Sequence, residues 1–485
     1  MLLYSIEYLA LLPVLLLIYY NCNNWGKRLL LLFSSFAFLA LFNVTSLLFV
    51  VFFNSINYWA GKRIATGVDK KSIVWTYYPM LVINIASIIL INKFLSGFFI
   101  TIQKTHLPPS FFNDIENQII ALGLSFYGLQ NVSYLIVVYK KRIKASQNYL
   151  DFSLGNSFFA KISLGPIMQH HELSKQFQKL HKLATERQEN LIWGTNRILL
   201  GLFKKLVLAD RLVPITSSLY LPDAEITGYS TWVGIFLYFL QLYFDFSGYM
   251  DLAVGSARLF GIQLKENFNF PLRSVSIADF WRRWHISLMD WLTKYIYFPL
   301  SFRLRQQKKY GIFISIIVTF FISGVWHGWG LTFLFYALIH AFYMIVELAL
   351  KKTRLKSNRD GNQRSNFYPR QFLVFILVSF SLIFFRAPNM EASFNIIGNL
   401  FDATNFFDSS VFWRTWLING GGNIEVTFNN RLSIILSILF ILYEKRMVHK
   451  SQSKTLNFKY ILFIILSIIL FGVFGNVQRF IYLQF

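Results

Sequence analysis

The sequence predicts an all-α polytopic membrane protein, and three observations carry that expectation. Of 485 residues, 55% are hydrophobic and the mean hydropathy is +0.46, more apolar surface than a water-soluble chain of this length can hide. Apolar runs such as Leu2 to Tyr20, Leu29 to Phe42, Ile73 to Ile91, Ile119 to Tyr139 and Tyr460 to Gly475 come near the roughly 20 residues that span a hydrocarbon core as helix. The single-residue alternation of a barrel strand is absent, so each run must satisfy its backbone groups internally, as a helix does.

The first run has no basic residues before it and no small-x-small cleavage site after it; it reads as a retained membrane helix rather than a signal peptide. Lys plus Arg number 47 against 23 Asp plus Glu, a net charge of +24. In a soluble protein this would suggest nucleic acid. Here the basic residues sit in short clusters between apolar runs: Lys27-Arg28, Lys62-Arg63 with Lys70-Lys71, Lys140 to Lys144, Arg303 to Lys309, Lys351 to Arg359 and Lys445 to Lys450. Such clusters hold loops in the cytoplasm and touch anionic lipid, so topology is the preferred reading and no nucleic-acid partner is expected.

That rule sets the course of the chain. Starting outside, it brings Lys27-Arg28 inside, and two helices separated near Asn43 return it to the cytoplasm at Lys62. Spans near 73–93 and 119–139 place the Lys140 cluster inside, and two crossings between about 192 and 257 do the same for the Arg-rich stretch to Lys309. Gly311 to Leu350 forms a hairpin with its far end near Gly330, and three last spans leave the C-terminus outside. About 11 to 12 crossings result. Phe152 to Met168 and Trp284 to Leu300 are apolar but interrupted by Gly, Pro or charge, which predicts re-entrant or interfacial helices. Lys204 and Lys205 inside an apolar run predict a tilted, broken or partly in-plane crossing. The polar linker from Lys351 to Tyr368 is expected to be flexible. The organisation is one membrane domain over 1–485, with N-terminal helices 1–117, a core 118–350 and C-terminal helices 351–485.

The chemistry concentrates between Tyr243 and Leu300. Asp245 and Asp251 stand beside Ser247 and Gly248 in an aromatic apolar run, and carboxylates in lipid are costly without partners. They must face the protein interior, either bracing the bundle against arginines such as Arg258, Arg282 or Arg283 or acting on a substrate. His285 follows Arg282, Arg283 and Trp284, where anchoring at an interface is the plain alternative to a site role. His327 lies in FISGVWHGWGLTF among Ser323, Gly324, Gly328 and Gly330. Those small residues leave room for a ligand or for close backbone approach. An imidazole there can act as a general base or serve as a buried hydrogen-bonding group.

Other chemistries find little support. There is no Gly-x-Ser-x-Gly elbow, no phosphate-cradling Gly-rich loop with Lys and no His-Glu-x-x-His zinc pair. His170, His171 and Glu172 form a weak metal motif, so no metal is expected. The single cysteine, Cys22, excludes a disulfide framework.

From about Leu122 onward the sequence resembles the membrane-bound O-acyltransferases, in the branch of alginate O-acetyltransferases and teichoic acid D-alanyltransferases. The resemblance rests on ordered motifs: GLSFYGLQNVSYLIVVYK, NYLDFSLGNSFFAKISLGPIMQHHEL, GLFKKLVLAD, FDFSGYMDLAVG, FWRRWHISLMDWLTKYIYFPL, SGVWHGWGLTFLFYALIHA, the FFRA around Arg386 and the closing FIYLQF. It implies a basket of helices around a central tunnel, with His327 catalytic and His285 as the second histidine of the site. Asp245, Ser247, Asp251, Arg282, Arg283, Trp326 and His340 become lining or supporting groups. Two departures stand out: a usual Pro-Gln-Leu reads Ala160-Lys161-Ile162, and a usual Trp-Gly before His340 reads Tyr336-Ala337.

The resemblance also implies a function, transfer of a small acyl group, foremost acetyl, toward a hydroxyl of an extracytoplasmic polysaccharide. The donor would be a cytoplasmic thioester, acyl-CoA or an acyl carrier protein, with no permanently bound cofactor. A periplasmic or surface transferase of esterase type is an expected partner, and the bacterial cytoplasmic membrane the expected location. D-alanyl transfer from a carrier protein to teichoic acid is the nearest alternative. A transporter or channel for an acylated or glycan substrate is the alternative outside enzymology, since buried Asp and Arg also line substrate pathways.

Overall fold

The computed structural model describes residues 3–89, 122–180, 186–220, 228–354, 367–402, 424–453 and 457–474. Among them every regular element is a helix and no strand occurs, giving an all-α polytopic membrane protein. Six helices are long and apolar enough to cross a bilayer: Asn24–Phe42, Val44–Thr66, Lys70–Ile89, Arg305–His327, Leu331–Leu350 and Tyr368–Arg386. Ile6–Asn21 and Phe458–Phe471 are shorter apolar helices. The closing FIYLQF and most of the polar linker from Lys351 to Tyr368 lie outside the described residues.

The expected break near Asn43 has a local cause. Asn43 is extended (φ −160°, ψ 151°), its N–H donates to Leu39 O, and its Oδ1 accepts from Ser46 N at 2.6 Å. One residue therefore closes one helix and caps the next. The expected hairpin is also present, as Lys308–His327 and Leu331–Arg354. A Cβ on Gly324 would stand 2.8 Å from Ala337 Cβ and 2.9 Å from Phe333 O, and one on Gly328 2.3 Å from the Phe333 ring. Of the two roles open to the small residues, these glycines serve close approach.

Both interrupted segments are broken into short pieces. The first gives helices Tyr149–Ser157 and Phe159–Ile162. The second gives Ile286–Leu292, a π-helical turn Thr293–Tyr297 and Phe298–Arg303. The run around Lys204 and Lys205 stays helical: Arg187–Leu202 passes into a π-helix over Phe203–Ala209 and on into Asp210–Ser218. Hydrogen bonding changes there without breaking the rod.

The chain divides into two compact units. One comprises Met1–Ile198, Tyr249–Glu266 and Gln452–Leu456, the other Leu199–Gly248, Asn267–Ser451 and Asn457–Phe485. In the first, the Tyr77 and Tyr139 rings stack at 4.0 Å, and buried amides tie neighbouring helices, with Asn57 and Asn84 donating to each other at 3.2 and 2.9 Å. Such pairs give polar side chains in an apolar setting the partners they need. In the second unit the core is aromatic. Phe280 stacks on Trp284 at 5.5 Å, and Phe239 lies against both Trp284 and Phe375.

Candidate active site

Helix Gly228–Leu259 carries Asp245, Ser247 and Asp251, all buried. Asp245 is held in the second unit by Lys205, whose Nζ lies 2.8 Å from Asp245 Oδ1 and 2.8 Å from Asp210 Oδ1. Lys205 and Asp210 are five residues apart, and Asp210 N donates to Lys205 O. This i to i+5 bond is the π-helical one, and it sets the carboxylate above the ammonium. Gly248 lets the helix approach that turn: a Cβ there would stand 3.0 Å from Gly201 O and 3.1 Å from Lys204 Cβ.

Asp251 lies in the first unit, where Arg197 Nε meets its Oδ1 at 2.7 Å while Arg197 Nη2 meets Glu266 at 2.7 Å. The bracing partners expected from sequence, Arg258, Arg282 and Arg283, are thus corrected to Lys205 for Asp245 and Arg197 for Asp251. Each carboxylate meets a cation of the helical run Arg187–Ser218, while Arg258 faces Glu186 and Arg282 and Arg283 face Asp279. Arg282 and Arg283 instead engage Asp279 at 3.3 and 3.0 Å, three and four residues back, and the Arg282 side chain is 71% exposed. The Asp279 carboxyl, pushed up by burial, is nonetheless held below its ordinary range by bonds from Arg283, Val275 N and Arg282.

His285 sits in the loop between helices Ile277–Trp281 and Ile286–Leu292, with φ 46° and ψ 49°. A left-handed conformation in a residue with a Cβ costs roughly 1–2 kcal/mol. Surrounding bonds over-determine it: Ile286 N donates to Asn267 O at 3.0 Å, Ser287 N to Asn267 Oδ1 at 2.9 Å, and Asn269 N to Arg283 O at 3.0 Å. The imidazole is 1% exposed. It meets the Phe246 ring at 4.9 Å and the Trp326 indole at 6.0 Å, both edge-on.

His327 is the last residue of Lys308–His327. Its ring lies 4.9 Å from Trp326, 5.3 Å from Phe385 and 6.2 Å from Tyr336. His285 and His327, forty-two positions apart in sequence, thus share one indole. Strained backbone at the first and a helix terminus at the second are features that cluster at functional sites.

His340 is different. Its Nε2 is hydrogen-bonded to Ser381 Oγ at 2.8 Å, and that hydroxyl also lies 2.7 Å from Val378 O. Trp281, Tyr336 and Tyr343 enclose the ring at 4.8, 4.8 and 5.8 Å. This is a packed, supporting position. Ser247 Oγ is buried and, among the described residues, meets no acceptor or donor. Among the described residues no group of three His, Cys, Asp or Glu forms a metal site.

The sequence pattern of the membrane-bound O-acyltransferase family, MBOAT, matches residues 28–386. The chain belongs to the membrane-bound O-acyltransferase family. It is therefore a multi-pass membrane enzyme that transfers acyl groups to oxygen. It is 31% identical over 395 residues to a probable alginate O-acetylase AlgI of Azotobacter vinelandii, covering 80% of this chain and 76% of the relative. It is 30% identical over 427 residues to a peptidoglycan O-acetyltransferase of Helicobacter pylori, covering 80% and 77%. To the teichoic acid D-alanyltransferase of Bacillus subtilis it is 30% identical over 258 residues, covering 51% and 62%.

Lys205, Asp210 and Arg197 escaped prediction as site support. Two lysines in an apolar run were the available signal, but ion pairing on an α-helix runs at three or four residues, so a partner five away reads as facing elsewhere.

Proposed function

We propose that this MBOAT enzyme moves an acetyl group from a cytoplasmic thioester, acyl-CoA or an acyl carrier protein, to a hydroxyl of an extracytoplasmic polysaccharide. The observation that carries the reading is that His285 and His327 both lie against the Trp326 ring. Acetyl is favoured over D-alanyl because both O-acetylating relatives align over 80% of this chain and the D-alanyltransferase over 51%.

In the proposed mechanism His327 takes the proton of the acceptor hydroxyl as its oxygen attacks the thioester carbonyl carbon. The tetrahedral intermediate collapses with cleavage of the C–S bond, and the departing thiolate takes the proton back from the imidazolium. An ester and a free thiol result, with His327 restored. His285, with the Trp326 N–H, orients the donor and stabilises the oxyanion. Burial among aromatic rings keeps water from competing. General base catalysis of this kind contributes about 10²–10⁴-fold. A tunnel open to both faces would let donor and acceptor meet at the histidines, and an extracytoplasmic esterase-like transferase would complete delivery in the bacterial cytoplasmic membrane.

The test is radiolabelled acyl transfer by His327→Ala against wild type at equal folded yield, with mass spectrometry of cell-surface glycans giving acyl group and acceptor. Loss of at least about 100-fold is expected. Unchanged turnover ends the reading.

A further inference from the structure

In the first unit, Lys161 is 4% exposed. Its Nζ donates to Gln130 Oε1 at 2.6 Å and to the Asn156 carbonyl at 3.3 Å. Both partners are neutral, and among the described residues no carboxylate pairs with the ammonium. An ammonium taken out of water in this way costs several kcal/mol unless it is neutralised.

The surroundings hold unused donors. Asn156 Nδ2 donates to Asn54 Oδ1 at 3.1 Å and to Asn131 Oδ1 at 2.9 Å. Both of its protons are used, with Asn54 and Asn131 as the acceptors. Asn54 Nδ2 and Asn131 Nδ2 are left buried with no protein acceptor. Gln130 is fully engaged, its Nε2 donating to Gly155 O at 3.0 Å. Asn156 Oδ1 and His170 Nε2 are unfilled as well, and a Cβ on Gly155 would stand 3.3 Å from that nitrogen.

We propose that Lys161, Asn131 and Asn54 form a buried site for a small carboxylate in the first unit. One ammonium matches one negative charge, and two carboxylate oxygens suit an ammonium and a neighbouring amide N–H. An accompanying water supplies the donors that Asn156 Oδ1 and His170 Nε2 accept. The site does not depend on the acyl-transfer reading, because it uses none of His285, Trp326 or His327.

The experiment follows thermal unfolding of the full chain in detergent against sodium acetate at constant ionic strength, with chloride and inorganic phosphate as parallel probes. A saturable rise in the unfolding midpoint with acetate is expected. Lys161→Gln, close in length and uncharged, weakens the apparent acetate affinity at least about tenfold. Asn131→Asp keeps the oxygen that Asn156 needs and supplies a resident carboxylate. It abolishes the acetate response without lowering the midpoint, and it keeps the proposal testable should Lys161→Gln not fold. A response equal for acetate, chloride and phosphate, one unchanged in both variants, or none in wild type would overturn the site.

Discussion

Lys205 Nζ lies 2.8 Å from Asp245 Oδ1, with side chains 1% and 3% exposed, and the same ammonium meets Asp210. One buried cation therefore serves two buried carboxylates. Lys205→Met removes this ammonium from both, and breaking a buried pair from one side costs about 3–5 kcal/mol. The expected result is a sharply lower unfolding midpoint and folded yield in detergent, partly recovered in Lys205→Met/Asp245→Asn. A single variant as stable as wild type contradicts it.

Arg197 and Asp251 form the second such pair, extended by Glu266. In a double-mutant cycle of Arg197→Gln and Asp251→Asn, the two losses are expected to fall short of additivity by about 0.5–3 kcal/mol. Strict additivity would show that the contact carries no coupling.

Trp326 touches both histidine rings, and its substitutions separate packing from hydrogen bonding. Trp326→Phe keeps an aromatic ring beside the imidazoles, while Trp326→Ala removes it. Acyl transfer per folded molecule is expected to fall in both and further in the alanine variant, with thermal unfolding as the control. Equal activity of Trp326→Ala and wild type excludes the indole from the site.

His340 is bonded to Ser381 and walled by aromatic rings. His340→Ala is expected to lower the unfolding midpoint, by about 2–4 kcal/mol in stability for the cavity and the lost bond together. Turnover of the surviving folded enzyme should stay within a few-fold of wild type. A loss matching that of His327→Ala would move His340 into the reacting centre.

Gly194 and Gly255 face each other across two helices of the first unit, where a Cβ on either would stand 2.8 Å from the other's carbonyl oxygen. Contact at this range demands glycine on both sides. Gly255→Val is expected to reduce folded yield strongly, read by size-exclusion chromatography in detergent. A monodisperse wild-type profile would show that the helices separate at little cost.

The apolar run from Gly311 to Leu350 with its glycines near the far end made the hairpin legible, and the break near Asn43 was equally local. The interrupted segments announced themselves by Gly, Pro and charge within apolar runs, though the π-helical turn at Phe203–Ala209 left no recognisable mark. Its hydrogen bonds are i to i+5, and only packing selects them over the α-helical pattern.

Composition determined that this chain lives among lipids, and unbroken apolar runs without single-residue alternation determined that it does so as helices, which satisfy their own backbone. The motifs determined which histidines to watch. Which cation meets which carboxylate, that two imidazoles forty-two positions apart share one indole, and that His285 adopts a left-handed turn were decided only by tertiary structure. Side chains distant in sequence meet according to how helices cross, and one residue's worth of π-helical turn rotates every partner that follows it.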